Sequence, residues 1–156
     1  YELTKHKDTY VTTEVGQQQS VQKVNFEDVQ FIINSFKKNY ILINKLSKYN
    51  QDCLITNTLP IDKEEQIING CLSNPNIHIV IYGKNTNDEK IIEKYKQLVN
   101  LGFRNIYIYP GGIFEWLCLQ DIYGKEEFPT TKEELDLYKY RPKSKFNEYL
   151  MLENID

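Results

Sequence analysis

The chain contains no alanine, one methionine and seven glycines among its 156 residues, and it has no long apolar run. A membrane-spanning helix needs roughly 18 consecutive apolar residues. Nothing here approaches that, so no membrane partner is expected. Cysteine is scarce: Cys53, Cys71 and Cys118 are odd in number and far apart, and no CxxC occurs. The two histidines, His6 and His78, stand alone. A structural zinc site needs four ligands in close pairs, so neither a metal nor another cofactor is expected. The thiols should be reduced and mostly buried, in a cytoplasmic setting. Positive charge is also lacking: 19 basic side chains face 22 acidic ones, for a net charge of −3 and a pI near 5.5. Nucleic-acid binders need a basic face to displace counterions, so no such partner is expected. The first twenty residues hold no apolar core or arginine series and do not resemble a targeting peptide. The chain starts with Tyr1 rather than Met, as an excerpt or processed product would. What is present, 40% hydrophobic, 13% aromatic and 26% charged residues, suits one globular domain that closes a core without staples.

Residues 1–24 are polar and end in Gly16-Gln17-Gln18-Gln19-Ser20. They are expected to form an extended arm, disordered or laid against something else. Asn25 with Asp28 caps a helix whose inner face is Phe26, Val29, Ile32, Ile33 and Phe36. Tyr40-Ile41-Leu42-Ile43 reads as a buried strand and Cys53-Leu54-Ile55 as a second, short one. Asp62 with Glu65 marks a helix through Ile67, Ile68, Cys71 and Leu72. The run Ile77 to Tyr82 has four β-branched aliphatic residues, as in a strand covered on both sides. Thr86 with Glu89 is a third capping pair, ahead of a stripe of Ile91, Ile92, Tyr95, Leu98 and Val99. Gly102 supplies the left-handed residue that ends that helix. Ile106 to Tyr109 is another strand, Pro110-Gly111-Gly112 a turn, and Phe114 to Ile122 a short helix. Strands alternating with helices of this length imply crossovers and a parallel sheet. A fourth pair, Thr131 with Glu134, predicts one short helix in the extension. The organisation is therefore an arm at 1–24, an α/β domain at 25–123 and a C-terminal extension at 124–156.

One series of segments carries a resemblance: Ile79-Val80-Ile81-Tyr82, the loop at 83–88, Leu101-Gly102-Phe103, the strand Arg104 to Tyr109, Gly111-Gly112 and Trp116. It resembles the rhodanese (sulfurtransferase) homology domain. Upstream, Ile41-Leu42-Ile43-Asn44 stands where that family has a Leu-Ile-Asp strand, and Cys53 to Thr58 echoes its Gly-His-Ile-Pro-Gly-Ala. The resemblance spans about residues 38–123. It implies a three-layer α/β fold with a central parallel sheet flanked by helices. In the family, the loop carries a nucleophilic Cys and ends in Arg, and its amides wrap a sulfur-bearing anion at a helix N-terminus. Here the Cys aligns with Gly83 and the Arg with Asp88, with Glu89 next. Two acids in a first helical turn suit the helix dipole but repel an anion. Asn44 replaces the family's Asp and Leu54 its His. The resemblance thus implies a degenerate loop, Gly83, Lys84, Asn85, Thr86, Asn87 and Asp88, with no catalytic residue. The alternative is a divergent sulfurtransferase, or a hydrolase that uses this loop to hold an anion.

Other chemistry is sparse. Gly83-Lys84-Asn85-Thr86 falls short of a phosphate-binding loop, lacking the upstream Gly and placing Thr one position late. Cys53, Cys71 and Cys118 lie in apolar stretches, where an inert thiol is the default. His78 reads as a core or sheet-edge residue, and Glu115 with Asp121 as surface charge, since six residues apart is not one helical face. Aromatics, by contrast, are abundant, and many sit near the ends: Tyr1, Tyr10, Tyr123, Phe128, Tyr138, Tyr140, Phe146 and Tyr149. Such residues suit interfaces. Arm and tail are expected to fold back or to dock onto other proteins of a larger assembly. The composition, rich in Ile, Lys, Asn and Tyr, fits an AT-rich genome and hence a cytoskeletal or virus-particle assembly.

Overall fold

The structure, a computed structural model, describes residues 10–12, 18–34 and 39–147. A small hairpin pairs β1 (Tyr10–Thr12) with β2 (Gln18–Ser20). Then follow α1 (Phe26–Asn34), β3 (Tyr40–Asn44), α2 (Ile61–Gly70), β4 (His78–Tyr82), α3 (Lys90–Asn100), β5 (Asn105–Tyr109) and α4 (Gly112–Tyr123). Short 3-10 turns lie at Lys48–Asn50 and Leu137–Tyr140. Strands β3, β4 and β5 form one parallel sheet in that order, with Leu42 level with Val80 and Tyr82 level with Tyr109.

Successive strand side chains point to opposite faces, and that alternation makes two cores. Ile41, Ile43, Ile79, Ile81, Ile106 and Ile108 pack beneath Ile68 of α2 and Ile91, Tyr95 and Leu98 of α3. Leu42, Val80, Tyr82 and Tyr109 pack on the other face with Val29 of α1 and Ile113, Trp116 and Leu117 of α4. Both faces of β4 are covered, which explains why its sequence is aliphatic rather than alternating. The result is the α/β sandwich that the sequence implies. No helix among the described residues is long and apolar enough to cross a membrane.

Both outer strands are partnered. Ile108 of β5 donates its amide to Gln22 O and accepts from Val24 N–H, each at 2.9 Å, so residues 22–24 run along that edge and Val21 is buried. On the far side Leu59 N–H donates to Leu42 O at 2.8 Å. The end of the predicted arm therefore lies against the chain's own sheet.

Several local expectations are corrected. The Asn25–Asp28 box forms reciprocally, at 3.0 and 3.1 Å, and Gly102 adopts φ +103°. Asp62 and Glu65 do not cap α2, because Pro60 holds the cap position and makes no side-chain bond. Thr86 and Glu89 form no box at α3: the helix starts only at Lys90, and Glu89, at the cap position, makes no side-chain bond there. Cys53 to Ile55 is not a strand: Ile55 makes a single antiparallel bridge to Thr130. Thr131 opens no helix, because its hydroxyl is turned to Asp52 O at 2.8 Å. Among its described residues the extension has only the 3-10 turn and a helical turn at 145–147. Phe36 lies outside the described residues.

Candidate functional site

Ligands of open parallel sheets collect beyond the carboxyl ends of the strands. The loop at 83–89 leaves that end of the central strand, β4, and leads into α3. Its shape is fixed from three sides. From α4, the amides of Ile113 and Phe114 donate to Gly83 O at 3.0 Å and Lys84 O at 3.1 Å. These are first-turn amides, which have no partner within their own helix. Contact is so close that a Cβ at Gly112, whose φ is +66°, would meet Gly83 O at 2.6 Å. From the extension, Tyr140 O accepts from the buried Asn85 Nδ2 at 2.8 Å. From the loop itself, Asn85 Oδ1 accepts from Asn87 N–H at 2.9 Å, and Asn85 O from Asp88 N–H at 3.2 Å.

Asp88 completes the arrangement. Its Oδ2 accepts from Lys84 N–H at 3.0 Å and its Oδ1 from Lys90 N–H at 3.1 Å, so the carboxylate closes the loop and caps α3. A side chain built on Gly83 would begin 2.5 Å from Asp88 Oδ2 and 3.0 Å from Ile91 Cγ2. The acid fills the space beside Gly83 and holds the amides of Lys84 and Lys90. Thr86 and Asn87 are exposed, while Lys84 and Asp88 are half-buried.

The neighbouring polar groups are engaged as well. Asn44, at the end of β3, is 1% exposed. It accepts from Leu46 N–H at 3.1 Å and Gln51 Nε2 at 2.8 Å, and its Nδ2 donates to Gln51 Oε1 at 3.1 Å. Leu54 is a core residue. Glu115 is not simple surface charge: it is half-buried and accepts the Tyr109 hydroxyl at 2.7 Å. Burial, with the nearby Glu115, pushes the Tyr109 phenol well above its usual range. Asp121 is exposed and apart from it. His78 stacks between Tyr40 and Tyr107, with ring centroids at 4.9 and 6.0 Å. Burial pushes the Cys53 thiol up, and its Sγ donates to Lys132 O at 3.2 Å. Burial, then Asp121 and Glu115, does the same to Cys118. Cys71 is half-buried against the α2–α3 core. Among the described residues no cluster of three His, Cys, Asp or Glu could hold a metal.

The terminal aromatics divide. Phe128 and Tyr140 are core residues, at 3% and 1% exposure, not surface ones. Phe128 packs edge-on against Trp116 at 5.0 Å, and Phe128 and Pro129 are tied down by Trp116 Nε1 donating to Pro129 O and Gln120 Nε2 donating to Phe128 O. Tyr123, Tyr138 and Phe146 are exposed. Tyr10 lies in β1, described by its backbone pairing with Ser20. Tyr1 and Tyr149 fall outside the described residues. The role of Tyr140 in holding Asn85 has no local signal, because the two lie 55 residues apart.

Compared with known proteins, residues 38–118 match the family model described as "Rhodanese-like domain". Among solved structures, the chain is similar to the Alr3790 protein from Anabaena sp., at 14% identity and TM-score 0.48, covering 85% of this chain and 94% of that one. It is also similar to the BH2092 protein from Bacillus halodurans, at 18% identity and TM-score 0.49, covering 83% and 89%. A rhodanese-like domain of Alr3790 gives 20% identity and TM-score 0.41, covering 78% and 85%. No curated protein matches the chain.

Proposed function

The chain belongs to the rhodanese-like domain family, and we propose that it is a member without sulfurtransferase activity, serving as a protein-interaction or structural module in a larger assembly. The observation that carries this reading is the Asp88 carboxylate. Where the resemblance puts a nucleophilic thiol the chain has Gly83, and Asp88 Oδ2 lies 2.5 Å from where a side chain there would begin. Four amides of the loop and the start of α3, those of Lys84, Asn87, Asp88 and Lys90, are bound to the chain's own oxygens. An incoming sulfur-bearing anion would have to displace a carboxylate of the same sign. Burial raises Cys53 and Cys118 and so lowers their thiolate fraction, and Cys71 packs on the far core between α2 and α3, away from the loop. Exposed Tyr123, Tyr138 and Phe146 support the binding role.

The test is thiosulfate-to-cyanide sulfur transfer with the full chain. The expected result is no turnover, and no persulfide by mass spectrometry on Cys53, Cys71 or Cys118 after thiosulfate treatment. Turnover that alkylation of a cysteine abolishes would replace this reading with that of a divergent enzyme.

A further inference from the structure

Resting on the reading of the domain as a binding module, we propose that the groove between Lys84 and the C-terminal segment docks an acidic peptide segment of a partner protein. The groove has a volume of about 380 Å³, and Lys84, Lys139, Arg141 and Lys143 line it together with Tyr138 and Ser144. Among the described residues no acidic one lines it, although acids outnumber bases 22 to 19 in the whole chain. The concentration of one sign is therefore local.

The groove is also held in place rather than draped. Tyr140 is 1% exposed and its carbonyl is fixed by Asn85 Nδ2, which anchors the segment to the loop. Arg141 donates from Nη1 to Tyr138 O at 2.7 Å, and its guanidinium lies 5.2 Å from the Tyr138 ring centroid. Lys139 is neutralised by an ion pair with Glu134. Lys84, Arg141 and Lys143 form no ion pair with a described carboxylate. Three cations that no ion pair engages, on a concave surface anchored at Tyr140, set up attraction for carboxylates with little ordering cost on this side.

The surroundings favour a peptide over a nucleic acid. An adjoining groove of about 510 Å³ shares Lys84, Arg141 and Lys143 but is bounded by Asp88, Glu89 and Glu93. A phosphate backbone carries a charge on every nucleotide and would run from the cations onto those acids. A peptide can place carboxylates on the cations and uncharged or basic residues beyond. Tyr138, 71% exposed, offers that peptide an aromatic face.

The experiment is fluorescence anisotropy with the full chain and a labelled peptide of alternating glutamate and glycine. A lysine–glycine peptide and an oligothymidylate of equal charge serve as comparisons. The acidic peptide is expected to bind, and to be released as salt rises from ~50 to ~500 mM. Lys84→Glu with Lys143→Glu should weaken binding by about tenfold or more, each reversal removing an attraction and adding a repulsion. Lys63→Glu with Lys96→Glu, which makes the same charge change on exposed α2 and α3 positions, should weaken it by less than about twofold at the same salt at which the parent chain binds the peptide. No binding, equal loss in both double variants, or oligothymidylate binding as tightly as the peptide would overturn the proposal. Thiosulfate turnover on the same preparation separates the failures. Absent binding without turnover removes the partner chemistry and leaves the module reading, whereas turnover removes the module reading itself.

Discussion

Replacing Gly83 by alanine asks whether Asp88 really fills the loop. The backbone is no obstacle, since Gly83 is not among the residues at positive φ. In open space the change would stabilise the protein by ~0.4–1 kcal/mol by restricting the unfolded chain. The new methyl, however, would sit 2.5 Å from Asp88 Oδ2 and 2.9 Å from its Cγ. The carboxylate must leave, and it then gives up the amides of Lys84 and Lys90. Losing an aspartate cap costs ~1 kcal/mol, and a second hydrogen bond to a charged group ~1.5 kcal/mol. Setting these against the entropic gain leaves a net loss of ~1.5–2 kcal/mol, or ~3–8 °C in Tm for a chain of this size. In an Asp88→Ala background both bonds and the two nearest atoms are already gone, and the next contact of the methyl is Ile91 Cγ2 at 3.0 Å. There the same change should be neutral to within ~0.5 kcal/mol, giving a coupling energy of ~1.5 kcal/mol between the two positions. Urea denaturation of the parent, both single variants and the double variant, followed by circular dichroism, measures all four corners. Equal effects of Gly83→Ala in the two backgrounds, or a more stable single variant, would refute the placement of the carboxylate.

Further outcomes are expected elsewhere. Gly112→Ala should cost about 3 kcal/mol or more by denaturation, above any change at Gly83, because its Cβ meets the Gly83 carbonyl at 2.6 Å from a φ of +66° and backbone cannot swing aside. Stability should also fall in alkali. Burial holds the Tyr82 and Tyr109 phenols above their usual range, so the folded chain keeps protons that the unfolded chain releases. That contribution is intact below the free tyrosine value of ~10 and is lost as pH rises beyond it. Urea midpoints between pH ~8 and ~11 should show the decline, and Tyr82→Phe with Tyr109→Phe should flatten it.

The family and the layered fold were legible because the aliphatic runs at 40–43, 77–82 and 106–109 carry their own strand signal and a pair of buried faces. Local capping patterns were less dependable. At Asn25 the box forms, since its amide and Oδ1 both meet Asp28 while Nδ2 is left to reach Glu27. At Thr131 it does not, because the hydroxyl is taken by Asp52, 79 residues away. At the start of α3 the acid two residues before the helix outreaches the predicted Thr86, its two oxygens serving two amides at once. That Gly83 and Asp88 stand at the two ends of the loop after β4 could be read directly from the sequence. That the acid would fold back beside Gly83 could not, because side-chain reach across a loop has no one-dimensional signature. The inward fate of Phe128 and Tyr140 was equally hidden: their partners, Trp116 and Asn85, belong to elements formed earlier in the chain.

The strip at 22–24 has a practical consequence for anyone trimming this molecule. A fragment cut to the matched stretch, residues 38–118, would strip Gln22 and Val24 from Ile108 and expose its amide and carbonyl. A bare parallel border of that kind recruits other strands, so the shortened fragment would tend to stick to copies of itself. Expression work on this protein should begin upstream of Val21.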